Sequence, residues 1–412
     1  MKKIIKTYNY FYIFFCIIWP PFQVFFLRVD TAGRTIFILS ALAVFFNLNG
    51  FVRERKVFQS SAFFFWILLL CYSMFNSLYK GFSSEDGFIV FFRHRYFDPF
   101  LLLIIMMLEL KKDKIACLRL IRKALFVYLI LGLPFFGIND EGRIGVVVLG
   151  NMYPLHSVSL LFVSSVLFLE KEIKKSSYIM TVVFVSLIII ITGTRKAFGA
   201  EAIILLGVIL NIGKKRTVGA WVKTIVLGFV LIIGINAVMN KTLLGERFTE
   251  ELNTDYYVQF VDNQVINNLI MKFLGDRAVQ YEAAFMLFNE HFWTGIGLTN
   301  FKELSGGDFV LHSEYMVQLC ENGFIGFVLL ILFYIRLFAL IKYRKQKKGS
   351  ARLALFGLIT ILFLNFTGWT YCMNYIMVIY AIIFTSIYSE TITIRNIINT
   401  DDNCYSPSQG QF

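Results

Sequence analysis

Apolar stretches of about 20 residues, separated by short polar segments, recur along the chain, and each is long enough to cross ~30 Å of hydrocarbon as an α-helix. Twelve can be marked, at 8 to 27, 35 to 52, 60 to 79, 88 to 108, 119 to 138, 152 to 169, 177 to 193, 197 to 213, 221 to 239, 314 to 341, 353 to 371 and 373 to 389. None alternates apolar and polar residues over ten positions, so the pattern predicts helices and not barrel strands. The fold class expected is an all-α polytopic membrane protein. Transmembrane helices 1 to 9 occupy residues 1–239, an extracytoplasmic loop 240–312, transmembrane helices 10 to 12 residues 313–389, and a cytoplasmic tail 390–412.

The loop is the long polar interruption, some seventy residues from Asn240 to about His312. Within it Tyr281, Ala284, Phe285 and Phe288 follow the i, i+3, i+4, i+7 spacing of an amphipathic helix, and Val265, Ile266, Leu269, Ile270 and Phe273 make a second such stripe. Both are expected to pack on the helix bundle or the membrane face. Arg277 falls one turn before Tyr281, where it can also be presented inward.

Composition agrees with the pattern: 57% of the residues are hydrophobic and 16% charged, against ~25% charged in a typical soluble domain. The placement of the basic residues adds a direction. With the amino terminus inside, 26 of the 40 Lys and Arg lie on cytoplasmic segments, which resist translocation, so both termini are expected in the cytoplasm. The net charge of +13 is then a topological signal with attraction to anionic lipid. It gives no support to nucleic-acid binding, and no aromatic-basic RNA-binding pattern accompanies it.

The first span follows a basic MKKIIK without a small-residue cleavage site and runs into Trp19-Pro20-Pro21, which predicts a retained signal-anchor helix. The six cysteines, at 16, 71, 117, 320, 372 and 404, show no metal-ligand or redox spacing. Five read as small buried hydrophobes, and Cys404 lies in an Asn/Ser/Asp-rich tail too polar to build a core.

Several arginines fall on the outer side, where the charge rule disfavours them. Arg143 follows the fifth span, Arg195 and Lys196 occupy the tight turn ITGTRKAFGA between the seventh and eighth, and Arg277 is in the long loop. A guanidinium fits two phosphate oxygens at once and stays charged, so the group suggests a phosphorylated lipid head group. The competing explanation is snorkelling to lipid phosphate. Arg93, His94, Arg95 and Asp98 lie within or beside the fourth span, where ionisable groups are costly; they form either an internal Arg-to-Asp pairing or part of a site. Glu201, Glu321 and Asn365 read as interhelical hydrogen bonders.

Three segments together resemble the O-antigen ligase and polymerase superfamily of bacterial envelope glycosyltransferases. TGTRKAFGA is similar to the family's Ser/Thr-x-Ser/Thr-Arg turn, with Arg195 in the arginine place. GDRAVQYEAAFMLFNEHFWTGIGLTNF is similar to an Arg-led helix running to a Gly-x-Gly-x-x-Asn-Phe turn, with Arg277 at the arginine. HSEYMVQLCENGFIGF is similar to the His-Asn/Ser-x-Tyr-x-x-x-x-x-Glu-x-Gly-x-x-Gly signature, with His312 as its histidine. A fainter likeness covers GRIGVVVLGNMYPLHS, but Asn151-Met152-Tyr153 stands where the family often has Asn-Pro-Asn, which puts the role of Arg143 in doubt.

The resemblance implies an undecaprenyl-diphosphate-linked oligosaccharide as donor, in a bacterial cytoplasmic membrane, with the site facing outside and a flippase and chain-length regulator as pathway partners. It implies no metal and no cofactor, and no Asp-x-Asp signature occurs in the chain. Breaking the glycosyl–diphosphate bond develops negative charge that fixed cations stabilise, the role expected of Arg195 and Arg277. Arg143, Lys196, Arg93 and Arg95 are further candidates for substrate binding. The acceptor hydroxyl must lose a proton, and His312 is the expected base; alternatively it orients the acceptor, contacts phosphate, or caps the tenth span with Ser313 and Glu314. Glu314 and Tyr315 are expected to border the sugar site. Polymerase is preferred over ligase and protein oligosaccharyltransferase. A lipid-linked oligosaccharide transporter is the reading from another class, disfavoured because no internal repeat matches the late external loop.

Overall fold

The computed structural model describes residues 2–26, 29–53, 60–82, 92, 96–138, 144–146, 152–212, 259, 264, 267, 277–306, 311–344, 349–366, 368 and 373–386. In chain order its helices are α1 (Lys2–Phe26), α2 (Val29–Arg53), α3 (Ser61–Lys80), α4 (Asp98–Lys112), α5 (Lys114–Gly132), α6 (Met152–Leu169), α7 (Lys175–Thr192), α8 (Arg195–Ile212), α9 (Arg277–Glu290), α10 (Glu314–Arg344), α11 (Gly349–Asn365) and α12 (Asn374–Ser386). Helices α1 to α8 and α10 to α12 overlie eleven of the apolar stretches marked in the sequence, and α9 is the first amphipathic stripe of the loop. The stretch at 221–239, the second stripe, the tail from 387 and residues Arg93, His94, Arg95 and Arg143 lie outside the described residues. Among the described residues, four helical segments, Ser61–Lys80, Met152–Leu169, Lys175–Thr192 and Glu314–Lys342, are long and apolar enough to cross a membrane by length and composition.

Two boundaries depart from the sequence pattern for visible reasons. The fifth apolar stretch ends as helix at Gly132, passes through a 3₁₀ turn at Leu133–Phe135, and continues as a strand β1 (Phe136–Ile138) paired antiparallel with β2 (Ile144–Val146). Pro134 cannot extend the α-helical hydrogen bonding. The eleventh stretch, expected to reach 371, ends as helix at Asn365.

Ion pairs Lys6–Asp113, Lys114–Glu170 and Arg119–Glu172, at 3.1, 2.7 and 2.6 Å, gather the start of α1, the start of α5 and the end of α6 on one face. These basic segments are among those that the charge count assigns to one side. Just inside this face Glu109 is fully buried and accepts from Asn9 and Lys112, both at 2.6 Å, while Asn9 and Asn47 exchange side-chain hydrogen bonds. Helices α1, α2 and α4 are thereby tied by buried polar groups. In the interior, Trp66 of α3 is fully buried against Phe333 of α10 and Tyr380 of α12, with ring centroids 5.3 and 4.9 Å away. Cys16, Cys117 and Cys320 are buried as expected, but Cys71 is exposed.

Helix α10 is broken. Gly323 has φ 66° and ψ −168°, so the amides of Phe324 and Ile325 cannot reach the carbonyls of Cys320 and Glu321 four residues back. The turn after α9 supplies replacements: Ile296 and Gly297 donate to the Cys320 and Glu321 oxygens at 3.1 and 2.8 Å, and Phe324 and Ile325 donate to the Phe292 and Trp293 oxygens at 2.8 and 3.2 Å. Two helical hydrogen bonds are exchanged for four across the junction. An interrupted helix is tolerated in a membrane protein only where its freed backbone is satisfied in this way. The strands of backbone touch so closely that a Cβ on Gly295 (φ +70°) would sit 2.5 Å from the Cys320 oxygen and the Gly323 nitrogen. Helix α3 clasps the junction: Asn76 donates to the Thr294 and Glu321 oxygens at 2.7 and 3.2 Å, Tyr72 donates to the Asn322 oxygen at 3.1 Å, and Ser77 accepts from the Leu298 amide at 3.3 Å.

Gly323→Ala combines a left-handed backbone with a collision against the 293–295 backbone and is expected to cost roughly 3 kcal/mol or more. Asn76→Ala strips two buried carbonyls of a donor and is expected to cost about 1–3 kcal/mol. Thermal unfolding of detergent-solubilised protein checks both. Gly50→Ala is the control, because its methyl would meet nothing closer than 3.8 Å.

Candidate functional site at the outer ends of the helices

Helix α7 starts at the ion-paired face and ends at Thr192, so the turn into α8 lies at the opposite end of the bundle. There Gly193 closes α7 and the Thr194 carbonyl accepts from Ala197 and Phe198, both at 3.1 Å, which starts α8. Arg195 opens α8 with an exposed side chain, and Lys196 follows half-buried. Gly199 lets α8 pack directly on the Phe363 ring of α11.

The other contributors arrive from three directions. Arg277 is the first residue of α9, half-buried, and α9 packs through Ala278, Gln280, Tyr281, Ala284 and Phe288. Phe285, assigned to the buried stripe from its spacing, is 40% exposed. His312 directly precedes α10. Ser313, not His312, caps that helix: its hydroxyl oxygen accepts from the Met316 amide at 3.5 Å and its carbonyl from Val317 at 2.9 Å. The imidazole is therefore not used for capping and is exposed.

Electrostatics show that these groups share a neighbourhood. The His312 imidazole is held below its ordinary 6.5 by partial burial first, then by the positive charges of Arg277 and Lys196. Lys196 precedes the apolar run that begins at Ala197; its ammonium is pushed down to about 8, by burial first and then by Arg277. Lys196 Nζ also rests against Gly368, 3.4 Å from where a Cβ would stand. Lys196, Arg277 and His312, drawn from three separate sequence segments, thus converge. In the TRK turn the cation whose charge reaches His312 is Lys196, with Arg195 beside it in sequence.

Glu314 and Tyr315 are placed differently from a sugar-lining pair. Glu314 is buried, accepts from Gln318 at 2.9 Å, and its amide donates to the Gly368 oxygen at 3.2 Å. Tyr315 is half-buried and donates to the Leu362 oxygen at 3.1 Å. His156 is buried on α6, stacked on Tyr128 with centroids 4.0 Å apart. Glu201 and Asn365 are interhelical hydrogen bonders as read, to Ser186 and Tyr334. Sequence reading missed Tyr72, Asn76 and Ser77. Their polar spacing on one face of an apolar helix was the available signal.

Residues 180–331 match a family model described as O-antigen ligase. Over that segment the chain is similar to the O-antigen ligase family, which supports the superfamily that its motifs resemble. The matched segment runs from within α7 into α10 and so contains Lys196, Arg277, His312 and the backbone exchange at Gly323. Members of the superfamily are glycosyltransferase-like enzymes acting on lipid-linked oligosaccharide. Among curated proteins, none matches the chain.

Because Arg277 depresses His312, removing its charge must raise the imidazole pKa. In Arg277→Gln the pH midpoint for carbethoxylation of His312, followed by peptide mass spectrometry, is expected to move up toward 6.5, while the wild-type ring is neutral and reactive at pH 7. Unchanged midpoints would show that the two groups are electrostatically separate.

Proposed function

We propose that the chain is a membrane glycosyltransferase that polymerises polyprenyl-diphosphate-linked repeat units on the outer face of a bacterial cytoplasmic membrane. The observation that carries this reading is the meeting of Lys196, Arg277 and His312: burial first, and then the charge of Arg277, lowers the proton affinity of both Lys196 and His312. Gathering cations costs free energy that a bound polyanion offsets, and a diphosphate with its head at the membrane surface has the right charge and location. Arg195, at the same end of α8, extends the cationic surface.

The division of roles follows from protonation. Arg277 and Arg195 stay charged throughout the working range and stabilise the negative charge that grows on the departing diphosphate. His312, held below its ordinary range by partial burial first and then by Arg277 and Lys196, accepts the proton of the attacking sugar hydroxyl. The new glycosidic bond forms as the bond to diphosphate breaks; the acceptor proton passes to His312 and the electron pair leaves on the diphosphate. A second reading, transfer of the finished glycan to a lipid A core, is favoured by the description of the matching family model and uses the same groups.

Purified protein reconstituted with lipid-diphosphate oligosaccharide and no nucleotide sugar is expected to produce a glycan ladder. A single transfer to added lipid A core in its place would favour the ligase reading. His312→Ala is expected to reduce turnover by ~10²- to 10⁴-fold, and Arg277→Ala by on the order of 10²-fold or more. A His312→Ala protein that extends glycan at the wild-type rate would remove the proposed base.

A further inference from the structure

The C-terminal end of α11 lies beyond the segment matched by the family model, yet three contributors to the site are hung on it. The Asn365 oxygen accepts from the Ser313 hydroxyl at 3.1 Å, the residue next to His312. The Phe366 oxygen accepts from the Tyr281 hydroxyl at 3.0 Å, one helical turn after Arg277. The Gly368 oxygen accepts from the Glu314 amide at 3.2 Å, and Lys196 Nζ lies against the same glycine. Helix α11 ends at Asn365, and the last carbonyls of a helix have no partners within it; the Asn365 carbonyl and two just beyond the helix end accept from donors of other segments. The helix end is also the negative end of its dipole, which favours nearby cations.

We propose that Asn365, Phe366 and Gly368 form the platform that positions the cationic site, with Tyr281 as the positioning residue that fastens Arg277 to it. Tyr281 is 9% exposed, and its phenol is kept protonated, chiefly by burial, so it acts as a donor. Its hydroxyl fixes the rotation and depth of the first turn of α9, and hence the distance from Arg277 to His312. Gly368 performs the same service for Lys196 by leaving room for the ammonium. The inference rests on the donor-site reading above, but its first readout does not require catalysis.

The test uses the full-length protein in detergent or proteoliposomes, with Tyr281→Phe, which keeps the ring and removes the hydroxyl, and Gly368→Leu, whose branches extend beyond a Cβ that would already stand 3.4 Å from Lys196 Nζ. In both variants the pH midpoint for carbethoxylation of His312 is expected to rise, because a cation that depresses it has moved away. Glycan extension is expected to fall by up to about 100-fold, mainly in kcat, as for a misplaced catalytic group, with the acid limb of its pH profile shifted in the same direction as the midpoint. Midpoints equal to wild type in both variants would overturn the platform, whatever the activity. Shifted midpoints in a wild-type background that makes no glycan would leave the platform standing and overturn the donor-site reading.

Discussion

The arrangement depends on one exchange of backbone hydrogen bonds. At Gly323 a long apolar helix gives up two of its own bonds and takes four from the turn that follows α9. An unpaired amide or carbonyl at that depth would cost several kcal/mol, so the turn and the helix break require each other. The exchange holds the end of the external segment to the membrane-embedded core. It fixes the direction in which α9 returns toward Arg277 and the level at which α10 begins after His312. Helix α3 completes the joint with Asn76, whose amide reaches carbonyls of both partners.

From that joint the outer end of the bundle acquires its charge. Lys196 comes from a turn between two helices, Arg277 from the start of a loop helix and His312 from the residue before a helix cap. Each is half-buried or exposed; Arg277 lowers the proton affinity of both Lys196 and His312, and Lys196 that of His312, in each case after burial. A protein gains no stability from such a cluster on its own. A bound anion, as in the proposed function, would offset that cost.

The sequence made the apolar helices legible because their length and hydrophobicity are local properties, set by the thickness of the hydrocarbon. It also marked Arg277 and His312, since charged or titratable residues bordering apolar runs are unusual enough to stand out. Lys196, a substrate-binding candidate beside Arg195, is a neighbour whose charge lowers His312 and whose ammonium lies against Gly368. Phe285 fitted the helical period but faces outward, because the width of the buried stripe is decided by the surface α9 meets and not by spacing alone.

Chain chemistry by itself therefore determined that this is a helical membrane protein, where most helices lie, and which residue types are available to handle a phosphate and a proton. Tertiary structure decided that the Gly-Ile-Gly turn is inserted into the break at Gly323, that α11 ends at Asn365 instead of continuing through its apolar run, and that Lys196, Arg277 and His312, distant in sequence, come near one another. The reason is that hydropathy reports the preference of each segment for lipid, whereas backbone carbonyls freed at helix ends and breaks are satisfied by whichever donors the folded chain brings to them.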